Sequence, residues 1–97
     1  EERRKWGYAG VWEIAAMRSD KCAEPQIPVE LPWRCIKMHS DLHSIILDPF
    51  AGLGTTLIAC EQSGRRCRAM ESDPMHCDLI VRRWEQFTGE KAEKIET

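Results

Sequence analysis

The sequence predicts an α/β fold in which parallel strands are joined by crossover helices. Three observations predict it. A short run that is apolar at successive positions, residues 44–47 (SIIL), leads directly into a turn carrying two glycines. A second strand-like run, 66–71, leads into Asp73-Pro74 and a long amphipathic segment. A further helical pattern precedes the first run. The order helix, strand, helix, strand, helix is the alternation expected of a parallel sheet.

Each element has its own local reason. Residues 1–28 read as a charged lead-in segment, with a short strand at 11–14 (VWEI) on its alternation and a loop over 18–28 containing Ser19, Asp20, Pro25 and Pro28. A helix is expected from 29 to about 40. A proline falls in its first turn, Glu30 sits near the positive end of the dipole, and Leu31, Cys35 and Met38 recur at i, i+4, i+7. Residues 55–62 read as the next helix, with Gly64 as its stop. Asp73 is a natural N-cap with Pro74 in the first turn after it, and the last helix should run to about Phe87. Cys77, Ile80, Val81, Trp84 and Phe87 would form its buried stripe, while Arg82, Arg83, Glu85 and Gln86 face outward. Gly89 ends it, and 89–97 form a polar tail.

Bulk properties narrow the function. The 97 residues make at most one domain, spanning 29–88 in this reading, and the absence of an initial Met suggests a piece of a longer protein. With 14 basic and 16 acidic residues, the chain is not a general polyphosphate binder. Its basic clusters (Arg3-Arg4-Lys5, Arg65-Arg66 with Arg68, Arg82-Arg83) read as solvated faces. No run approaches the roughly 18 apolar residues of a membrane helix, and the five cysteines lack both a C-x-x-C pair and an even count. His39/His43 and His76-Cys77 are the only metal-like neighbours. The expectation is reduced thiols, no metal site, no membrane and a cytoplasmic setting.

The chemistry concentrates in Asp48-Pro49-Phe50-Ala51-Gly52-Leu53-Gly54-Thr55-Thr56. In an open parallel sheet, ligands sit beyond the carboxyl ends of the strands, where this turn lies. Glycines there let a ligand reach the backbone without meeting a Cβ. Glu71 stands at the end of the next strand, 17 residues past Gly54. A carboxylate in that place can accept both hydroxyls of a ribose. The pair reads as an adenosine-containing cofactor site, against the plainer alternative of a tight strand–helix connection with no ligand. A dinucleotide fingerprint wants glycine where Leu57 stands, and a P-loop wants Gly-Lys-Ser/Thr where Gly54-Thr55-Thr56 stands. What is missing is what cradles phosphate. A cofactor with a ribose but no phosphate, S-adenosylmethionine, fits better.

These residues resemble a known family. The stretch from Leu47 through Glu93, most specifically Asp48 to Phe87, looks like the C-terminal part of the amino-group DNA methyltransferases, which methylate adenine N6 or cytosine N4, in the subgroup whose cofactor motifs follow the catalytic motif; the resemblance spans about residues 10 to 93. Only Leu53, where Ser is usual, departs from the family's Asp-Pro-Phe-x-Gly-Ser-Gly-Thr-Thr. Glu71-Ser72-Asp73-Pro74 matches its second motif. Upstream, EPQIPVELPWRCI resembles the segment opening the cofactor-side helix, with Glu24 in place of His and Ile27 in place of Lys, and GVWEI resembles the strand before it. MHSDLHS replaces the usual Gly-containing lead into the strand.

The resemblance implies a partial Rossmann-like fold of S-adenosylmethionine-dependent methyltransferases. It implies that Phe50 packs near adenosine, that Asp48, Gly52 and Gly54 line the methionine end, and that Thr55 starts the helix there. Glu71 would hold the ribose hydroxyls, and Asp73 would open the next helix beside the adenine. With Ala51 and Ser72 from the same two motifs, these form the expected cofactor set. The family's catalytic loop, Asp/Asn/Ser-Pro-Pro-aromatic, has no counterpart, because no Pro-Pro occurs in the chain. No catalytic residue is therefore expected here, and the chain alone should not methylate DNA. DNA would be engaged through the full-length bacterial or phage-derived protein. An alternative is a degenerate, prophage-like remnant, or a module completing a partner that carries the catalytic half. A third reading, a nucleotide-dependent oxidoreductase, is disfavoured by Leu57. A free chain with one bare sheet face is expected to dimerise or to be marginally folded.

Overall fold

The computed structural model describes residues 12–14 and 27–95. Helix α1 spans Glu30–His39, strand β1 Ile45–Asp48, helix α2 Thr55–Ser63, strand β2 Arg66–Ala69 and helix α3 Pro74–Thr88. The predicted alternation is thus present, with boundaries shifted by one or two residues. The expected strand at 11–14 has no counterpart among the described residues, since 12–14 hold no regular element and Val11 lies outside them. The expected loop and Glu24 also lie outside them, apart from residues 27 and 28.

β1 and β2 pair in parallel, with Ile45 opposite Arg66 and Asp48 opposite Ala69. Successive side chains alternate between faces. Ile46 and Cys67, which are register partners, join Val29 and Trp33 around a core of Ile36, Ala59 and Cys60 supplied by α1 and α2. The opposite face carries Ile45, Leu47, Arg66 and Arg68. Ile45 is 62% exposed and Leu47 69%. The doubly apolar run therefore belongs to a strand built for cover on both sides, of which the described residues supply one layer.

α1 differs from expectation in which face it buries. Val29, Trp33 and Ile36 turn toward the core, while Leu31 and Cys35 are exposed and only Met38 of the expected stripe is buried. Both triplets are spaced i, i+4, i+7, and the sequence alone does not separate them. The face carrying the larger Trp33 takes the packing position, which leaves Leu31 at a cleft described below.

The end of α1 is tied to the end of α2 by Arg65. Its Nη2 and Nε donate to the Ser40 carbonyl and hydroxyl at 2.9 and 3.2 Å, and its Nη1 donates to the Ser63 carbonyl at 2.7 Å. A cation among the last carbonyls of two helices meets the negative ends of both dipoles. Arg65 is therefore a half-buried tie, in contrast to the solvated position expected of it.

α3 begins as predicted, with Asp73 Oδ1 accepting the Met75 N–H at 2.9 Å and Pro74 in the first turn. Its stripe is less covered than predicted, because none of its residues is buried. Val81 is 42% exposed and Phe87 48%, and Trp84 anchors the helix by donating its Nε1–H to Glu61 at 2.9 Å. Outward placement holds for Arg82 and Gln86, and fails for Arg83, which turns back onto the glycine turn. Among the described residues no helix is long and apolar enough to cross a membrane.

Candidate cofactor site

The site forms where β1 and β2 end. The parallel ladder continues past both strands, since Met70 N–H donates to Asp48 O and Ala51 N–H donates to Met70 O, each at 2.9 Å. This clamps the two strand exits together. Asp48 folds its own side chain back, Oδ1 accepting the Phe50 N–H at 2.9 Å, and Gly54 N–H closes onto Ala51 O at 2.8 Å. Gly52 (φ +56°) and Gly54 (φ +80°) both occupy the left-handed region. Around Gly52, a Cβ would meet nothing within 4 Å, so the backbone faces open space. Around Gly54, a Cβ would meet Ile80 of α3 at 3.1 Å, so this glycine is needed for helix packing as well as for the turn.

Glu71 joins the two turns. Its Oε1 accepts the Gly52 N–H at 2.9 Å and its Oε2 accepts the Asp73 N–H at 3.0 Å. His76 stands behind it, with Nδ1 3.4 Å from Glu71 Oε2 and Nε2 3.9 Å from Asp73 Oδ2. The Asp73 amide above all, then the Gly52 amide and His76, hold the Glu71 carboxyl below its ordinary value of 4.5, against an opposing effect of desolvation. Each carboxylate oxygen has two lone pairs: Oε2 meets both the Asp73 amide and His76, while Oε1, with the Gly52 amide alone, has room for a further donor.

Between α1 and the turn lies a cleft of about 330 Å³, within the range of small-molecule sites. Asp48, Phe50, Ala51, Gly52 and Thr55 of the expected set line it, together with Ile27, Leu31, Pro32, Leu53, Thr56 and His76. Gly54 lies beneath the turn, and Glu71 and Asp73 brace the wall through Gly52 and His76. Ser72 is exposed between them. Phe50 is 87% exposed, an aromatic ring held at the mouth with no core to fill.

Two residues of the site were not expected. His76 follows Asp73-Pro74 by two positions, and only the first turn of α3 carries it back to Glu71. Arg83 donates from Nη1 to Leu53 O at 3.0 Å and to Thr55 Oγ1 at 3.2 Å, and burial lowers its pKa. The one signal for Arg83 was its i+3 spacing from Ile80, which becomes informative once Ile80 is known to pack on Gly54. Among the described residues, no group of three or more His, Cys, Asp and Glu could hold a metal ion.

Comparison with known proteins places the chain in a family. A family model described as DNA methylase, of the N6/N4 methyltransferase type, matches residues 1–82. The type II methyltransferase M.BglI of Bacillus subtilis is 32% identical over 87 residues, which is 90% of this chain and 25% of the relative. M.MjaI of Methanocaldococcus jannaschii is 38% identical over 102 aligned positions, 98% of this chain and 31% of the relative. Among solved structures, TTHA0409 of Thermus thermophilus, described as a DNA modification methylase complexed with S-adenosyl-L-methionine, superposes with a TM-score of 0.61 at 41% identity, covering 63% of this chain and 25% of its own. The complex of M1.HpyAVI with the same ligand gives 0.59 at 32% identity, covering 61% of this chain and 29% of its own. The fold is accordingly a partial Rossmann-like α/β unit, and the chain spans about a quarter of the length of the relatives it matches. The chain belongs to the DNA methylase family of the N6/N4 type.

Proposed function

We propose that this chain is the S-adenosylmethionine-binding portion of a DNA methyltransferase that modifies the exocyclic amino group of adenine (N6) or cytosine (N4). The observation carrying the proposal is the Glu71 carboxylate, braced by the Gly52 and Asp73 amides at the end of β2 with acceptor capacity left on Oε1, beside a glycine turn open to a ligand. Two solved relatives bind S-adenosyl-L-methionine, which supports the same cofactor here. When bound, this cofactor supplies an activated sulfonium methyl group.

The protein's part is to hold and orient. Glu71 would accept the ribose hydroxyls, and Phe50 would cover the adenosine at the mouth. Asp48, Ala51, Gly52 and Gly54 would form the floor at the methionine end, with Thr55 at the positive end of the α2 dipole. Ser72 and Asp73 would border the adenine where α3 starts. None of these groups takes a proton from the target amine. The base-gripping loop and the DNA contacts would come from the remainder of the protein, in the cytosol where the free thiols stay reduced.

One observation favours a second reading, a non-catalytic remnant or a module completing a partner. Ile27, which lines the cleft at a position where the family resemblance implies a lysine, offers no polar group there. Calorimetric titration with S-adenosylmethionine tests both readings, with NAD and Glu71→Ala as controls. Saturable binding that Glu71→Ala weakens, with none to NAD, is expected; a folded chain that binds neither ligand would move the assignment to the remnant.

A further inference from the structure

We infer that Arg83 is a positioning residue for the cofactor turn, acting from outside the cleft through Leu53 and Thr55. The inference rests on the cofactor reading above for its consequence, and on geometry alone for its mechanism.

Arg83 sits on α3, 30 residues along the chain from Leu53, and is not among the residues lining the cleft. Its Nη1 reaches oxygens on either side of Gly54, the Leu53 carbonyl at 3.0 Å and the Thr55 hydroxyl at 3.2 Å. Ile80, one helical turn earlier on the same face, fills the space a Gly54 Cβ would need. The last helix thus grips the turn at its tightest residue with one apolar and one charged contact.

Packing alone does not account for an arginine here. No carboxylate among the described residues pairs with Arg83, and its guanidinium lies next to the positive end of the α2 dipole. A half-buried cation without a counter-ion is costly, and an apolar side chain of similar length would fill the same space more favourably. What an apolar residue cannot do is donate to Leu53 O and Thr55 Oγ1.

The Thr55 bond has a directional consequence. Thr55 is 6% exposed and lines the cleft, and among the described residues nothing accepts its hydroxyl proton. With Arg83 occupying one acceptor lone pair, the hydroxyl keeps its proton and a second lone pair, and the O–H is directed away from the Arg83 guanidinium. At the start of α2 this adds a side-chain donor to the free amides of the helix N-terminus, an arrangement suited to a carboxylate such as the methionine end of the proposed cofactor.

The test uses Arg83→Met and Arg83→Gln in the chain, with Trp84→Phe as a comparator that loses its Glu61 bond without touching the turn. Three readings are taken: melting temperature, the amide resonances of Gly52, Gly54 and Thr55 without ligand, and S-adenosylmethionine affinity. Arg83→Met should leave Tm within about 5 °C, shift or broaden the turn amides, and weaken affinity about tenfold. Arg83→Gln, which keeps a donor, should fall between. Thr55→Val should remove the part of the Arg83→Met effect on affinity that runs through the Thr55 hydroxyl, so the two substitutions should be non-additive in a double-mutant cycle, with the Leu53 bond accounting for the remainder. Unchanged turn amides in both Arg83 variants would overturn the inference, as would a loss of Tm with no change at the turn. Failure of the unsubstituted chain to bind S-adenosylmethionine would count against the cofactor reading alone, because the amide comparison still decides what Arg83 does to the turn.

Discussion

The Glu71 carboxylate and the Gly52 amide, 19 residues apart in sequence, meet at 2.9 Å and close the end of the two-stranded sheet. Glu71 Oε2 holds the Asp73 amide at the same time, so one side chain sets the spacing of the two turns that border the cleft. Glu71→Gln keeps the size but replaces one accepting oxygen with a donor, and it should weaken S-adenosylmethionine binding about tenfold or more in calorimetric titration.

The same contact sets a pH dependence. Backbone amides and His76 depress the Glu71 pKa below 4.5 in the folded state. A depressed carboxylate stabilises the fold fully above its unfolded pKa, and this contribution disappears as pH falls through the folded value. The stability difference between the wild type and Glu71→Gln should therefore shrink on acidification below 4.5, as the carboxylate takes up its proton. Urea unfolding at a series of pH values measures it.

Gly52 and Gly54 share a backbone region but differ in surroundings. Gly52→Ala meets nothing within 4 Å and should cost only the left-handed backbone preference, about 1–2 kcal/mol. Gly54→Ala adds a 3.1 Å contact with Ile80 and should cost about 3 kcal/mol. Introducing Gly54→Ala into an Ile80→Ala background should bring its cost back toward that of Gly52→Ala. Denaturant midpoints of the four variants check the ordering.

Arg65 ties the end of α1 to the end of α2 and should contribute to stability. Arg65→Met, which removes its three bonds to Ser40 and Ser63, should cost about 2 kcal/mol. Arg66→Met, on the open sheet face, should stay within about 0.5 kcal/mol. Equal losses for the two substitutions in thermal melts would contradict the tie between helices.

Thiol reactivity reports the core. Burial, with the neighbouring Cys67 thiol second, pushes the Cys60 pKa up to about 12, and the residue is 1% exposed. Under alkylation near pH 8, exposed Cys35 should be modified well before Cys60, which should react only once the chain is denatured. Peptide mass spectrometry over time gives the order.

Much of this molecule is legible in its sequence, because its strongest signals are local. Asp73-Pro74 marks the start of α3 through a hydrogen bond spanning two residues. The two glycines past SIIL mark a turn whose φ values other residues resist, and the chain order of helix and strand follows from such punctuation. The expected cofactor residues from Asp48 to Thr55 are contiguous, so once the turn is placed they come together at the cleft or beneath it.

What the sequence did not disclose is set by contacts between distant segments. Either of two stripes on α1 satisfies helical spacing, and only packing against α2 and the sheet selects Val29, Trp33 and Ile36 over Leu31 and Cys35. Arg83 looks like an outward-facing charge beside Arg82 until α3 is laid across the turn, where its donors find Leu53 and Thr55. Local preference, turn chemistry and family motifs were thus determined by the sequence itself. The identity of the buried helix face, the Glu71–Gly52 contact and the place of Arg83 were decided by tertiary structure, because each depends on the relative orientation of elements that no short-range pattern encodes.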